Sequence, residues 1–395
     1  MSKAEHFHTI IIGAGAAGLF AARYAGRAGP VAVLDHAKKP GEKIRISGGG
    51  RCNFTNLSVG PENFLSENRH FSKSALARFT PWDFIGLLQR HGIAWHEKTL
   101  GQLFCDDSAT QIVDMLLAEL RDVGGELRLQ SPVTRVRRAT TGFRLETARG
   151  PLTCRNLIIA TGGKSIPKMG ATGFAYDIAR QFGLRVTETR PGLVPLTFPN
   201  RRFAALSGLS LPVRATAGGA TFAEAMLFTH RGLSGPAILQ ISSFWREGTP
   251  IHIDLLPGTD LAAALSTRRK VHGRKRLTTE LAEFLPARLV EARAEALGLA
   301  GNLADMSDAR LCDLEARLHD WSLTPNGTEG YRTAEVTLGG VATDGLESRS
   351  MEAKAVPGLF FIGEAADVTG WLGGYNFHWA WASAHAAGTA IAAAK

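Results

Sequence analysis

The feature that most constrains this chain is a glycine turn set between a strand and a helix near its start. Residues 7–12, Phe-His-Thr-Ile-Ile-Ile, are short, apolar and β-branched, as a buried parallel strand requires. They run into Gly13-Ala14-Gly15-Ala16-Ala17-Gly18 and then into an Ala-rich helical stretch, Leu19-Phe20-Ala21-Ala22. A second strand, Val31-Ala32-Val33-Leu34, ends at Asp35 and is followed by His36. A GxGxxG alone is a weak signal. Placed after a strand, opening a helix and backed by an acid on the next strand, it predicts a dinucleotide site. Gly13 permits the tight turn, Gly15 lets the main chain approach a pyrophosphate, and Gly18 lets helix and strand pack closely. The helix opening at Ala16 and Ala17 aims free N–H groups at the phosphates, and Asp35 and His36 stand at the adenosine end.

That unit does not separate FAD from NAD, and three later segments do. The first runs from Gly41 through Lys43 to Ser47-Gly48-Gly49-Gly50-Arg51-Cys52-Asn53. Three consecutive glycines serve little purpose inside a packed element, because they cost backbone entropy and supply no side chains. Beside Ser47, Arg51 and Asn53 they suit main-chain contact with a flat ring. Cys52 has no local His partner and reads as packing. The second segment is the strand end Ala160-Thr161-Gly162, with Val133 on an earlier strand assigned to the same site. In the third, Phe361-Ile362-Gly363-Glu364-Ala365-Ala366-Asp367 leads to Gly373-Gly374-Tyr375-Asn376-Phe377. Here Gly363, Glu364 and Asp367 end a strand, with Asp367 expected at the ribityl chain. Gly374, Tyr375, Asn376 and Phe377 open a helix whose positive end faces the flavin pyrimidine edge.

Composition bounds the remaining choices. Hydrophobic residues at 45% and charged residues at 21% describe a folded globular chain, so disorder is not the default. The four cysteines, Cys52, Cys105, Cys154 and Cys312, form no CxxC pair, which argues against a zinc ribbon, a disulfide framework or a redox cysteine pair. No metal site is expected, and a reducing cytoplasm fits. The apolar stretches at 10–22 and 379–394 are broken by Gly, Arg, His or Ser and read as buried elements rather than membrane spans. A net charge of +9 leaves nucleic acid open as a partner, and its densest basic run is 268–276. A solvated helical face is the plainer account of that run.

The expected fold class is α/β: an FAD-binding, Rossmann-like domain of the glutathione-reductase type, with an inserted β-rich domain and a small helical subdomain. Residues 1–190 form the first part of the FAD domain and 346–395 its C-terminal part. Pro and Gly punctuate short apolar runs over 191–258, which with 331–345 make the β-rich insert. Leu/Ala/Glu/Arg patterns over 259–330 make the helical subdomain, with one helix, 277–297, interrupted at Pro286. Helices are also expected at 72–91 and 108–122, the latter with Ile112, Met115, Leu116 and Leu120 on one face. Separate short strands are expected at 151–154 and 157–160.

Several motifs carry a family resemblance. Ser47 to Asn56 (SGGGRCNFTN), Leu227 to Leu239 (LFTHRGLSGPAIL), Ala334 to Val341 (AEVTLGGV) and Gly358 to Trp381 (GLFFIGEAADVTGWLGGYNFHWAW) resemble the BaiN-like flavoproteins, a family with aminoacetone-oxidase-like members. The resemblance implies FAD on a glutathione-reductase-type fold with a barrel-like insert and a helical domain. It implies no single activity, since similar proteins are linked to ring or enone reduction, amine oxidation and reduction of a uridine in ribosomal RNA.

No second GxGxxG follows a later strand, so a dedicated nicotinamide domain is not expected. Either NADH or NADPH docks transiently in the substrate cleft, or the substrate itself reduces the flavin. For a proton relay or substrate clamp the candidates are His378, Tyr375, Lys168, Arg51 and His230. His378 reads equally well as a packed core histidine among Phe377, Trp379 and Trp381, His230 as a turn residue, and Lys168 as a surface cation. Three functions stay open: an FAD-dependent oxidoreductase acting on a small conjugated or amine substrate by hydride transfer at flavin N5, a flavin-dependent enzyme reducing a uridine in ribosomal RNA, and a flavin-binding module without turnover. Oligomeric state is not legible.

Overall fold

The computed structural model describes residues 4–394. Two compact units divide them: one runs to Arg190 and resumes at Val336, and the other is Pro191–Glu335.

The first unit is built on a parallel sheet. Strand Glu5–Ile12 lies between Val31–Leu34 and Gly150–Ile159, with Glu126–Arg128 beyond the former and Leu359–Phe361 beyond the latter. Ile12 sits opposite both Leu34 and Ile159, and Ile159 sits opposite Phe361. The register therefore brings Gly13, Asp35, Ala160 and Ile362 out at one edge of the sheet. Residues 151–160 do not make two strands. A single strand, Gly150–Ile159, alternates in burial where it pairs antiparallel with Phe143–Thr147, and becomes fully buried where parallel neighbours flank it. One strand thus carries both sequence patterns in succession.

Helix Ala16–Ala25 packs along helix Tyr375–Ala393, so the two ends of the chain share one core. Gly388 allows the approach: a Cβ there would stand 2.6 Å from Tyr24 Cβ and 2.8 Å from the Ala21 carbonyl oxygen. Trp381 fills the seam, stacked on Phe84 at 4.6 Å and edge-on to Phe20 at 5.4 Å. The helix expected over 72–91 is two, Lys73–Arg78 and Pro81–Arg90. Proline has no N–H and is tolerated at a helix's first turn, and here Asp83 accepts from the Thr80 N–H at 2.7 Å to cap the second helix. Helix Thr110–Asp122 buries Ile112, Met115, Leu116 and Leu120. Residues 36–70, aperiodic in sequence, hold helix Glu42–Ile46 and strand Asn53–Asn56. That strand joins Gln102–Cys105 and Trp95–Glu97 in a three-stranded antiparallel sheet.

The second unit combines the β-rich and helical segments in one compact body. Its longest hairpin, Ser210–Ala217 with Ala220–Phe228, turns on Gly218 and Gly219 at φ +55° and +80°, the two left-handed positions of a tight hairpin. Its helices are Leu261–His272, Leu277–Leu281, Ala287–Leu297 and Asp308–His319, with the break at Pro286, plus a short helix Pro236–Ser242. Residues 336–345 fall in the first unit rather than in the β-rich one. The side chain of Thr337 explains the difference: its Oγ1 accepts from the Lys164 N–H at 2.8 Å. Among the described residues, no helix is long and apolar enough to cross a membrane.

Candidate functional site

Four segments distant in sequence meet where the parallel strands end. The glycines of the first turn divide by function. A Cβ on Gly13, at φ +111°, would run into the Ala160 carbonyl, and one on Gly18 into the Gly13 carbonyl. Gly15 is different: nothing lies within 4 Å of the position its Cβ would take. It caps helix Ala16–Ala25 without a side-chain hydrogen bond, and the first turn holds no acidic residue. The free N–H groups of Ala16 and Ala17 and the positive end of the helix therefore face open space. Alongside, the Thr161 hydroxyl is buried without a protein partner, next to Ala160 and Gly162.

Asp35 carries more structure than its sequence position suggests. Its carboxylate accepts from the Ala14 N–H at 2.6 Å and from the Ala37 N–H at 2.8 Å, clamping the glycine turn to the second strand. An ionised carboxylate has about four acceptor sites, so capacity for a ribose hydroxyl remains. The strand that begins at Val133 is led to the same place, because Ser131 N–H donates to the Asp35 carbonyl at 2.8 Å. His36 is half exposed at this end, with its ring against Gly170.

Gly41 N–H donates to the Ala14 carbonyl at 2.9 Å, which brings helix Glu42–Ile46 and the glycine triplet beside the first turn. Gly48, Gly49 and Gly50 have φ of +58°, +67° and +85°. All three are left-handed, a conformation that three successive side-chain-bearing residues would not adopt. Gly48 packs on Phe104, Gly49 has nothing within 4 Å, and Arg51 is exposed beyond them. The Ala109 N–H to the Gly50 carbonyl (2.7 Å) and Cys105 N–H to the Arg51 carbonyl (2.9 Å) fix the loop from behind. Ser47 turns its hydroxyl back to the Ile44 carbonyl at 2.8 Å. Cys52 is fully buried, and burial pushes its thiol far above the ordinary range, which makes it packing rather than a nucleophile.

The third and fourth segments join through Glu364. Lys43 Nζ donates to Glu364 Oε2 at 2.9 Å and to Ser165 Oγ at 2.7 Å. Ser165 and the Thr337 N–H donate to the other carboxylate oxygen at 3.0 and 2.9 Å. Ser165 and Thr337 escaped the sequence reading, although one follows the Thr161-Gly162-Gly163 strand end and the other lies in the AEVTLGGV motif. Gly363, at φ +62°, is held from the last helix: its N–H donates to Ser383 Oγ at 2.9 Å and its carbonyl accepts from Trp379 Nε1 at 3.0 Å. Trp379 and Ser383, four residues apart on one helical face, were also missed.

Gly374 caps helix Tyr375–Ala393 at φ +95°, again with no acidic residue in the first turn. With its amide oxygen turned toward Gly374, Asn53 accepts from that N–H at 3.2 Å, tying the segment after the glycine triplet to the start of the last helix. Phe377 is partly exposed and stacks on Trp381 at 5.8 Å.

Several sequence assignments change. His378 is fully buried; its Nδ1 lies 2.8 Å from the Thr55 hydroxyl and its Nε2 lies 3.0 Å from the Phe79 carbonyl. A carbonyl only accepts, so Nε2 carries the proton and Nδ1 accepts from Thr55. Burial lowers its pKa to about 4, and no substrate reaches it. It is a core histidine, not a proton relay. Lys168 is exposed in the turn Pro167–Met169, which packs through Gly170 on His36. That is the Asp35 end of the site. Tyr375 is buried against Phe64 and Trp371, with ring centroids 6.3 and 6.2 Å apart. Asp367 turns its carboxylate to the Glu67 N–H at 3.0 Å, so Glu364 rather than Asp367 is the acid beside Gly162. The Asn376 amide is consumed within its own loop, accepting from the Gly370 N–H at 2.8 Å and donating to the Gly370 carbonyl at 2.9 Å. His230 is exposed on a turn of the second unit. Of the catalytic candidates in the first unit, Arg51 alone keeps an exposed charge beside the glycine triplet.

Open main chain at Gly15 and Gly49, an unpartnered buried hydroxyl at Thr161 and two helix starts free of carboxylates form a cradle suited to an anionic dinucleotide with a flat ring.

Comparison with known proteins agrees with that chemistry. A "Ribosomal RNA dihydrouridine synthase" of Escherichia coli (strain K12) is 55% identical over 99% of each chain. A "3-dehydro-bile acid delta(4,6)-reductase" of Clostridium scindens is 28% identical over 97% of this chain and 98% of that one. The solved 3-ketosteroid delta1-dehydrogenase of Sterolibacterium denitrificans shares the fold, at TM-score 0.55 and 14% identity over 99% of this chain and 100% of that one. The HI0933-like protein Rossmann domain matches residues 7–390. The chain belongs to this HI0933-like Rossmann family, the BaiN-like, FAD-dependent flavoproteins that its motifs resemble.

Proposed function

We propose that the protein reduces a uridine of ribosomal RNA to dihydrouridine, with NADH or NADPH as the electron source. One observation carries the reading: similarity to a protein named for that activity extends over 99% of both chains at 55% identity, against 28% for the bile-acid reductase. The chemistry is coherent across both relatives. The uracil C5=C6 bond is conjugated to the C4 carbonyl, as an enone is, and saturating it consumes one hydride at C6 and one proton at C5. Oxidation of one reduced nicotinamide supplies the hydride, and water supplies the proton. Bound FAD contributes two-electron hydride exchange.

The protein's own residues supply position and charge. Gly15 and the N–H groups of Ala16 and Ala17 would hold the pyrophosphate, with Asp35 and the Val133 segment at the adenosine end. Lys43, Glu364 and Thr161 would line the middle, and Gly48 to Gly50 with Gly374 the ring. Arg51 would orient a substrate carbonyl or phosphate, as a fixed guanidinium suits either. Lacking a second dinucleotide turn, the chain would take its nicotinamide donor transiently in the substrate cleft.

The test is anaerobic incubation of an unmodified ribosomal RNA transcript with purified protein and NADPH or NADH, followed by nucleoside mass spectrometry. A nucleoside two hydrogens heavier than uridine is expected. Unchanged RNA, with the flavin reoxidised by a small enone or oxidising an amine instead, would overturn the reading. A flavin inert to every donor and substrate would indicate a module without turnover.

A further inference from the structure

Between Arg268 and Arg276 the chain carries six Lys or Arg residues and one His, and the structure sorts them into two sets. One set is held in ion pairs. Glu280, with a side chain 1% exposed, takes Arg268 at 2.5 Å, His272 at 3.3 Å and Lys275 at 3.5 Å. Arg269 reaches Asp308 at 2.6 Å. These four hold helix Leu261–His272 to its neighbours, and a buried carboxylate needs such partners. The other set, Lys270, Arg274 and Arg276, is exposed, and none makes an ion pair among the described residues. Val271 stands between them, 80% exposed.

Helix-dipole compensation accounts for cations in the last turn of the helix, Lys270 included. It does not account for Arg274 and Arg276, which lie beyond it. Nor are those two on a loose loop. Ala304 N–H donates to the Gly273 carbonyl at 2.8 Å, Leu303 N–H to the Lys275 carbonyl at 2.9 Å, and Leu277 N–H to the Gly301 carbonyl at 3.1 Å. Arg276 and Asn302 bridge between these bonds. Residues 269–275 and Ala304 line a concave surface on the same stretch. Fixed backbone, outward cations and a concave face lower the ordering cost of gripping a polyanion.

We propose that Lys270, Arg274 and Arg276 form a preordered, sequence-independent contact for RNA phosphates. This rests on the reading of the protein as a uridine reductase of ribosomal RNA, and it names the surface that reading needs. RNA is favoured over an acidic protein because the whole chain carries +9, which suits a long uniform polyanion. The other four are the ion-paired ones, so Lys270, Arg274 and Arg276 can be removed without breaking an ion pair.

The experiment measures binding of flavin-loaded, full-length protein to a labelled ribosomal RNA transcript across a salt series. For wild type, log affinity should fall linearly with log salt. K270A/R274A/R276A should flatten that slope by about 2–3, since each phosphate contact contributes about 0.7–0.9. Its affinity at low salt should drop at least about tenfold, with flavin content unchanged. K270R/R274K/R276K keeps the charges and should keep the slope, which guards against a folding artefact. A wild-type slope in the alanine variant overturns the proposal, as does a flattened slope in the charge-conserving one. Tight binding of poly-glutamate in place of RNA would assign the patch to an acidic protein and overturn it too. Dihydrouridine measured in parallel anaerobic tubes of the same protein and RNA supplied with NADPH or NADH separates the failures. Wild type that forms none sinks the function, whereas wild type that forms it beside an alanine variant of unchanged slope sinks only this surface.

Discussion

Lys43 Nζ lies 2.9 Å from Glu364 Oε2, joining two residues that stand at opposite ends of the chain. Their side chains are 36% and 19% exposed, so the pair is partly screened and contributes about 1 kcal/mol or less to stability. Its importance is positional, because it closes the middle of the site between Ser165 and Gly162.

From that placement, Glu364→Gln should lose flavin on dialysis, while Asp367→Asn, whose carboxylate faces Glu67, should keep it. The flavin-to-protein absorbance ratio decides. A colourless Asp367→Asn beside a yellow Glu364→Gln would return the ribityl role to Asp367.

The seam between the first and last helices gives a stability prediction independent of cofactor. A Cβ on Gly388 would stand 2.6 Å from Tyr24 Cβ, so Gly388→Val must push the helices apart. The expected cost is about 1–3 kcal/mol, read as a lower urea midpoint at unchanged slope. An unshifted midpoint would mean the helices are less closely packed than described.

His378 links stability to pH. Its pKa falls from 6.5 to about 4 because burial disfavours the charged ring. Between these values the unfolded chain binds a proton that the folded chain does not, so stability is full above pH 6.5 and is lost as pH falls toward 4. The loss is up to about 3 kcal/mol. His8 and His385 shift the same way, also through burial. The useful measurement is therefore a difference: His378→Gln should be less stable at pH 7 yet lose less between pH 7 and pH 5 than wild type. Parallel pH profiles would remove this residue as the cause.

Arg51 is the exposed charge left beside the glycine triplet. Arg51→Ala should keep its flavin and lose about 10–100-fold in kcat/KM, the range of a single charge-assisted hydrogen bond. Unchanged turnover would free Arg51 from any part in substrate orientation.

The parts of this molecule that were legible in sequence are those where one residue type serves one local need. Gly13, Gly15 and Gly18 could be read because a strand, a turn and a helix follow in order, and Pro286 because a proline interrupts a helix. Long-range partners were not legible. Nothing in the local pattern says that Ser165 and Thr337 converge on Glu364, or that Trp379 and Ser383 grip Gly363. For His378 the aromatic neighbours in sequence leave a core histidine and a proton relay both open, and the contacts that decide between them, with Thr55 and Phe79, lie about 300 residues away. Nor does the end of a strand at Asp35 announce the clamp of its carboxylate on the Ala14 N–H. The strand Gly150–Ile159 reads as two because its pattern changes where its neighbour on one side changes from antiparallel Phe143–Thr147 to parallel Leu359–Phe361.

The account stands on the open face of Gly15, where a side chain would meet no protein atom and where the proposed pyrophosphate contact lies. Titrating apoprotein with FAD and following quenching of flavin fluorescence tests this most directly. Wild type should bind one equivalent tightly, and Gly15→Val should stay folded, with an unchanged urea midpoint, yet fail to bind. A folded Gly15→Val that takes up FAD as tightly as wild type would contradict it.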